Sequence, residues 1–227
     1  MKPEIIRTRS FVAEVVRFIR DTAEDAIDAR GFFRISLSGG NTPRPIYQAL
    51  ALEDCAWRKW IVTFGEERCV PPDNSQSNYR MAAETFLLVS SPGEVLRMKG
   101  EIEPQESAEE YDTAIRHLAK RFGETRYRHD VILLGLGDDG HTASLFPGTA
   151  ALEETEKNVV SNFVPKFNTY RLTFTLPLIA AARCVAFLVN DAKKQPLIDK
   201  ILAGNCGLPA ERVKPSDGEL LWFLGHH

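Results

Sequence analysis

The stretch LLGLGDDGHTASLFPG places two carboxylates and a histidine directly after an apolar run. Asp138, Asp139 and His141 stand within four positions of one another. A neutral imidazole can take a proton from water at physiological pH, and a neighbouring carboxylate can orient the ring and stabilise the imidazolium. The pattern favours a general base at His141. The alternative is a polar turn in which Asp139 or Thr142 only caps a helix.

Two other kinds of catalytic site fit this stretch less well. A metal site needs further ligands at short spacing, but His117 and His129 lie in other segments. Ser144 lacks the G-x-S-x-G motif that presents a nucleophilic serine. We therefore expect neither a metal nor a serine nucleophile here.

A second motif, SGGNTP, follows an apolar run and precedes a segment with helical spacing. Gly39 and Gly40 allow a sharp turn and a close approach of a ligand to the backbone. Asn41 or Thr42 can cap the helix, and Pro43 suits its first position. Because free N–H groups at a helix N-terminus bind phosphate, the motif predicts a phosphate-binding turn. An ordinary tight turn is the alternative.

Several charged residues also stand where predicted strands or helices begin or end. Glu66, Glu67 and Arg68 follow the apolar run WIVTF, and they form either a self-neutralising surface cluster or part of a binding crevice. Arg171 opens RLTFTL and could grip a phosphate through two hydrogen bonds. Lys194 opens a helical segment and could supply a point charge.

Alternating strand and helix patterns must position these residues. The segment DVILLGLG is continuously apolar, as in a parallel strand covered on both faces. The segment SFVAEVVRFIRDTAEDAIDARG repeats apolar residues at helical spacing and ends at Gly31. We predict further strands in FFRISL, WIVTFG, NVVSNFVP, RLTFTL, CVAFLV and GELLWFLG, and helices in PRPIYQAL, NYRMAAETFLL and AKKQPLIDKILA. The alternation favours an α/β fold with a largely parallel sheet and a crevice at its carboxyl edge.

Three finer expectations concern the organisation of the chain. Ser107 and Glu110 are spaced as a capping box for the helix AEEYDTAIRHLAKRF. The loop over 66–77 is the longest irregular segment, and such loops often carry function. We find no repeat or long linker, so we expect a single domain over 1–227.

The composition excludes some partners. A net charge of −3 gives no global attraction to nucleic acid or an anionic membrane. We find neither a signal-peptide pattern nor a run long enough to span a bilayer. The four cysteines are scattered without a C-x-x-C pair, so we expect reduced thiols, with Cys184 in the core. These features favour a cytoplasmic protein.

Five stretches, in this order, resemble the 6-phosphogluconolactonase family, which shares a superfamily with glucosamine-6-phosphate deaminase. They are SLSGGNTPRPIY, FGEERCVPPDNSQSNYRMA, GLGDDGHTASLFPGT, RLTFTLPLIAAA and LPAERVKPSDGELLWFL. The resemblance implies a Rossmann-like fold of the sugar-phosphate isomerase/deaminase type. It also implies hydrolysis of 6-phospho-D-glucono-1,5-lactone to 6-phosphogluconate, the second step of the oxidative pentose phosphate pathway, without metal or organic cofactor.

The resemblance also implies roles for residues of this chain. His141 would activate water, with Asp139 beside it. The phosphate would be surrounded by the residues of the turn, which are Ser38, Gly39, Gly40, Asn41 and Thr42, and by cations, which are Arg68, Arg171 and Lys194. We expect a phosphosugar lactone as the small-molecule partner, and a monomer or weak homodimer.

Two positions depart from the family pattern. Glu66 stands where the family usually has aspartate, and we expect its longer side chain to reach sugar hydroxyls without a catalytic role. Asp191 stands where the family tends to have glycine before the lysine helix, so Lys193 is an alternative to Lys194.

Two functions compete with lactone hydrolysis. The deaminase branch has a glutamate just before the proline of its histidine loop, whereas Phe146 occupies that position here. The second competitor is a sugar-phosphate binding protein without activity, which would have no need for His141.

Overall fold

The computed structural model describes residues 2–225, and this part of the chain forms ten strands in two sheets. In chain order the strands are β1 (Glu4–Thr8), β2 (Phe33–Leu37), β3 (Trp60–Phe64), β4 (Glu66–Arg68), β5 (Glu94–Val95), β6 (Val131–Leu134), β7 (Val159–Val164), β8 (Thr169–Phe174), β9 (Cys184–Val189) and β10 (Glu219–Gly225). The α-helices are α1 (Phe11–Arg30), α2 (Pro43–Leu50), α3 (Asn78–Ala82), α4 (Leu88–Ser90), α5 (Pro104–Arg121), α6 (Leu176–Ala180) and α7 (Gln195–Ala203). A π-helical turn, Ala83–Leu87, joins α3 to α4.

The larger sheet runs in the order β1-β10-β9-β6-β2-β3-β5, and each neighbouring pair is parallel. This order confirms the predicted α/β fold with a mostly parallel sheet flanked by helices. The carboxyl ends of β2, β3, β6 and β9 therefore meet at one edge. The single domain over 1–227 stays a prediction, because residues 1, 226 and 227 lie outside the described part of the chain.

The sheet is buried on both faces, as the continuously apolar strands predict. In β6, Val131 and Leu133 join one apolar cluster with α1 and α2, whereas Ile132 and Leu134 join the other with α5 and α7. This division follows from the two-residue period of a strand, whose side chains point to opposite faces in turn. Within residues 2–225, no helix is both long and apolar enough to cross a bilayer.

Most of the predicted helices and strands are present. The first helix ends at Arg30, and Gly31 closes it with a φ of 84°, a left-handed conformation that glycine adopts at low cost. The sequence did not predict β1 and β5, which are the two edge strands of the larger sheet. Short edge strands are half covered and carry no distinctive apolar pattern.

The smaller sheet corrects the sequence-based picture of one largely parallel sheet. The predicted strands NVVSNFVP and RLTFTL are β7 and β8, but they pair with each other in antiparallel orientation, and β4 pairs with β8. The first three residues of the loop over 66–77 form β4 and are therefore not irregular. A strand pattern predicts the strand itself but not its partner.

The predicted capping box at Ser107 and Glu110 is wrong. Helix α5 begins earlier, at Pro104, and the side chain of Glu103 accepts a hydrogen bond from the Glu106 N–H. Proline suits the first turn of a helix, because its missing N–H would have no partner there. Ser107 is buried inside the helix.

The amino edge of the sheet, opposite the carboxyl ends, holds a buried charged cluster. The carboxylate of Asp130, which is 1% exposed, lies 2.9 Å from the Arg30 guanidinium and 3.3 Å from that of Arg183. It also accepts a hydrogen bond from the Arg34 N–H at 2.8 Å. Each charge in the cluster has a partner of opposite sign, so the cluster serves stability.

We expect Asp130→Ala to lower the free energy of unfolding by about 3 kcal/mol, because it removes a buried carboxylate that pairs with three arginines and leaves the buried Arg34 N–H without its acceptor. The urea midpoint measures this loss, and the activity of the folded fraction should not change. Asp217→Ala is the matched control, because Asp217 pairs with Arg128 at 2.7 Å but is 64% exposed. It should shift the midpoint little, and an equal shift in both variants would contradict the prediction.

Candidate active site

The histidine loop leaves β6 at the carboxyl edge of the sheet and folds back on itself. The Gly137 N–H donates to the His141 carbonyl at 2.8 Å, and the Gly140 N–H donates to the Gly137 carbonyl at 3.0 Å. Gly140 has a φ of 78°, and Ala143 has a φ of 47°, which is unusual for a residue with a side chain. The strain at Ala143 and the tight turn together fix the position of His141.

His141 and Asp139 form a hydrogen-bonded pair. Nδ1 of His141 lies 2.5 Å from Oδ1 of Asp139, and Nζ of Lys166 donates to Oδ2 at 2.8 Å. Burial alone would raise the pKa of Asp139, but the hydrogen bonds from Lys166 and His141 hold it well below its usual range. An ionised Asp139 accepts the proton on Nδ1, so Nε2 of the ring is left free to accept one.

Two further observations concern the face of the His141 ring and the choice between Asp138 and Asp139 as its carboxylate partner. The ring of Phe146 stacks on His141, with centroids 4.0 Å apart. Asp138, the second carboxylate of the motif, is 89% exposed and lies 3.4 Å from Nζ of Lys194. Asp139 is therefore the carboxylate that holds the base.

The SGGNTP turn forms the predicted link between β2 and α2. A Cβ on Gly39 would lie 1.9 Å from Oδ1 of Asn78, and Gly40 has a φ of 95°, so both glycines are required by geometry. The expected side-chain cap is wrong, because Thr42 at the N-cap position makes no capping hydrogen bond. The N–H groups at the start of α2 therefore have no capping side chain, and this leaves them available to a ligand.

The Glu66-Glu67-Arg68 segment is not a self-neutralising surface cluster. Glu67 is buried and accepts four hydrogen bonds, which come from the N–H groups of Arg68, Asn78 and Tyr79 and from the hydroxyl of Ser77. Burial raises the pKa of Glu67, although these hydrogen bonds oppose that shift. Glu66 turns the other way and accepts from the Ser144 hydroxyl at 2.6 Å. Neither carboxylate forms an ion pair with the guanidinium of Arg68.

Arg68 and Arg171 stand directly opposite each other in the pairing of β4 with β8. Within residues 2–225 neither guanidinium has an ion-pair partner, and the buried Nε of each lacks a hydrogen-bond acceptor. Burial lowers the pKa of Arg171, and the charge of Arg68 adds to that effect. Two facing cations are unfavourable, so the arrangement favours an anionic ligand.

Two adjoining clefts bring the predicted residues together. The base cleft, about 330 Å³, is lined by residues that follow several strands of the larger sheet, including Ser38, Gly39, Gly40, Asn41, Thr42, Glu66, Arg68, His141 and Lys194. The arginine cleft, about 410 Å³, shares Gly40, Asn41 and Arg68 with it and adds Arg44, Asn78, Phe167 and Arg171. Asp139 lines neither of these two clefts and reaches the site through His141. Within residues 2–225, no three His, Cys, Asp or Glu side chains cluster as metal ligands.

The structure distinguishes between the two candidate lysines. Lys194 lines the base cleft, and its Nζ donates to the Leu136 carbonyl. Lys193 is exposed. Its backbone N–H donates to the Asp191 side chain, but its own side chain has no hydrogen-bond or ion-pair partner among the described residues. Lys194 is therefore the lysine that can reach a ligand in this cleft.

Two residues of the site were missed by sequence reasoning. Asn78 accepts from the Arg68 guanidinium at 2.5 Å and donates to the Glu66 carbonyl at 3.1 Å. The one local sequence feature that could have indicated Asn78 is its position directly after Ser77, which caps α3. Lys166 lies at a hairpin tip, where a lysine is usually solvated, and the sequence carries no signal for its contact with Asp139.

The fold and the site define the class: an α/β enzyme in which a histidine–aspartate pair and a group of cations meet at one edge of the sheet. A family model described as glucosamine-6-phosphate isomerases/6-phosphogluconolactonase matches residues 7–222, and the chain belongs to this family.

Individual relatives agree with this assignment. The chain is 40% identical to a 6-phosphogluconolactonase of Synechocystis sp., with 97% of this chain and 91% of that protein covered. It is 37% identical to a 6-phosphogluconolactonase of Chlamydia muridarum, with 89% and 79% covered. The crystal structure of a 6-phosphogluconolactonase from Thermotoga maritima superposes with a TM-score of 0.88 at 27% identity, over 99% of this chain and 100% of that chain.

Gly137→Ala should lower the catalytic rate by about 10²- to 10⁴-fold, because a Cβ there would lie 2.0 Å from Nδ1 and Cε1 of His141 and displace the proposed base. Steady-state kinetics measure the loss, and circular dichroism should show the fold retained. The control is the double variant with His141→Ala, in which the methyl has no ring to displace. The double variant should be no slower than His141→Ala alone. A further loss of rate would contradict the explanation that the Gly137→Ala methyl acts by displacing the imidazole.

Proposed function

We propose that the protein hydrolyses 6-phospho-D-glucono-1,5-lactone to 6-phosphogluconate, as the second step of the oxidative pentose phosphate pathway. One observation carries this proposal: the base cleft and the arginine cleft adjoin. The His141–Asp139 pair therefore lies beside two arginines, Arg68 and Arg171, that have no ion-pair partner among residues 2–225. This groove suits an anionic substrate whose reactive carbon lies some distance from its phosphate. The names of the homologues agree with the proposed reaction.

In the proposed mechanism His141 removes a proton from water as the water oxygen attacks C1 of the lactone. The bond from C1 to the ring oxygen then breaks, and the imidazolium returns the proton to that oxygen, which becomes a hydroxyl. Asp139 holds the ring and stabilises the imidazolium between the two steps. The proton transfer to the ring oxygen regenerates the neutral base, and the product carboxylic acid releases its remaining proton to solvent.

The phosphate contacts are proposed to fix the substrate rather than to take part in the reaction. The turn of Ser38, Gly39, Gly40, Asn41 and Thr42 offers backbone N–H groups after that of Ser38, which already donates to the Tyr47 hydroxyl. It also offers the hydroxyl of Ser38, which has no hydrogen-bond partner among the described residues. Arg68, Arg171 and Lys194 offer cations. Glu66 lines the base cleft and offers an acceptor for a sugar hydroxyl. Correct orientation is the main contribution that such contacts make to a reaction at a distant carbon.

The contact between Phe146 and His141 argues against the deaminase alternative. Phe146 is buried and covers one face of the imidazole. No carboxylate can occupy that position to assist the histidine, as the resemblance implies for the deaminase branch. A pure binding protein would not need the Asp139–His141 pair.

We also propose a cytoplasmic location, a phosphosugar lactone as the only class of partner, and a monomer or weak homodimer. All four cysteines are free, which favours a reducing compartment. Cell fractionation tests the location, and size-exclusion chromatography tests the oligomeric state.

Wild-type protein should accelerate the opening of freshly generated 6-phosphogluconolactone near neutral pH, and His141→Ala should lose about 10²- to 10⁴-fold of that rate. Spontaneous opening is subtracted at each pH. His117→Ala is the matched control, because His117 is an exposed histidine on α5, and it should keep full activity.

Two outcomes would contradict different parts of this proposal. If wild type gives no acceleration, the lactonase function is wrong, and deamination of glucosamine 6-phosphate is tested next. If His141→Ala keeps the rate, the function stands and the assignment of the base is wrong.

Lys194→Met should raise KM for the phosphorylated lactone about 10-fold or more, because a charge-assisted hydrogen bond contributes roughly 1.5–3 kcal/mol. Lys193→Met is the matched control on the adjacent residue and should leave KM unchanged. A rise in KM for Lys193→Met alone would reverse the assignment.

A further inference from the structure

The tip of the β7–β8 hairpin contacts two residues that hold the proposed base, Asp139 and Phe146, although the mechanism above assigns the tip no role. This tip is the short 3₁₀ turn Pro165–Phe167, closed by Asn168 with a φ of 48°. Lys166 donates to Oδ2 of Asp139 at 2.8 Å. The other oxygen of this carboxylate contacts Nδ1 of His141. Lys166 and the proposed base therefore bind the two oxygens of the same carboxylate.

The same tip also reaches the imidazole through aromatic side chains. The ring of Phe167 meets that of Phe146 edge-on at 5.7 Å, and Phe146 stacks on His141. Nζ of Lys166 lies 5.5 Å from the centroid of Phe167. The five side chains therefore form a closed ring of contacts. The hairpin tip holds the imidazole by its edge through Asp139 and by its face through Phe146.

The charge of Lys166 opposes protonation of the imidazole. An isolated Asp139 carboxylate would attract an imidazolium strongly, and a cation on its other oxygen offsets part of that attraction. The hydrogen bond to Asp139 also raises the pKa of Lys166, so this side chain stays charged throughout the working range.

Other charged groups near His141 do not replace this contact. Glu66, Arg68 and Lys194 line the same cleft, and Asp138 is paired with Lys194. Among the described residues, none of these four forms a hydrogen bond or ion pair with the imidazole. Lys166 is the cation bound to its carboxylate partner.

We propose that Lys166 is a positioning residue that acts through Asp139: it holds the pair in place and keeps the imidazole of His141 unprotonated toward lower pH. The catalytic part of this inference rests on the proposed function, because it takes His141 as the base of the hydrolysis. A general base acts only in its unprotonated form, so Lys166 extends the acidic limit of activity.

The test compares the acidic limb of kcat/KM between about pH 5 and 8 in wild type, Lys166→Met and Lys166→Arg. Methionine removes the charge and keeps the length of the side chain, whereas arginine keeps the charge. The midpoint should move to higher pH by about half a unit in Lys166→Met, as expected from one nearby surface charge. Lys166→Arg should retain the wild-type midpoint.

Two controls separate this role from a general effect of surface charge. Lys99 pairs with Glu110 at 2.6 Å and is 50% exposed, against 55% for Lys166, so Lys99→Met removes a similar ion pair elsewhere and should leave the midpoint unchanged. In an Asp139→Asn background, Lys166→Met should cause no further shift. An unshifted limb in Lys166→Met, an equal shift in Lys99→Met, or a shift that persists without Asp139 would overturn the proposal.

A second readout needs no turnover. The imidazole signal of His141 is followed by NMR through a pH titration and is assigned by its loss in His141→Ala. In Lys166→Met the signal should titrate at higher pH than in wild type. If the titration shifts in Lys166→Met but the wild-type protein does not hydrolyse the lactone, only the proposed function is overturned. Hydrolysis with an unshifted titration would overturn only the role of Lys166.

Discussion

A parallel sheet that is buried on both faces can meet a ligand only at the ends of its strands, and this constraint determines where the chemistry lies. The four adjacent strands β9, β6, β2 and β3 have few polar side chains along their length. The polar groups lie in the segments that follow these strands. Lys194 follows β9, His141 follows β6, the SGGNTP turn follows β2 and Arg68 follows β3. Strand order alone therefore makes four distant segments neighbours.

The two edges of the sheet differ in how their charges are satisfied. At the amino edge, Asp130 forms ion pairs with Arg30, Arg34 and Arg183, so its buried charge is balanced within the protein. At the carboxyl edge, Arg68 and Arg171 face each other, and the described part of the chain gives neither guanidinium a counter-charge. Cations left facing each other at a cost in stability indicate a site for an anion. The amino edge stabilises the fold, whereas the carboxyl edge is arranged for a ligand.

The small antiparallel sheet connects the anion pocket to the base. It carries Arg68 on β4 and Arg171 on β8, and its hairpin tip carries Lys166 and Phe167. The guanidinium of Arg171 lies 5.4 Å from the centroid of Phe167, whose ring contacts Phe146 beside the imidazole. The small sheet therefore carries both the arginines proposed to bind the phosphate and the hairpin-tip residues that contact the neighbours of His141.

The sequence by itself determined the α/β alternation, the glycine-rich turn between β2 and α2, and the histidine loop, because each is a contiguous pattern that local chemistry explains. It left open whether Lys193 or Lys194 lines the cleft, and it missed both Asn78 and Lys166. Only the tertiary structure decided these points, and also that β7 and β8 form a separate sheet. The physical reason is that strand pairing and side-chain contact depend on distant partners: Lys166 meets Asp139 across 27 positions of chain, and no local pattern encodes such a meeting.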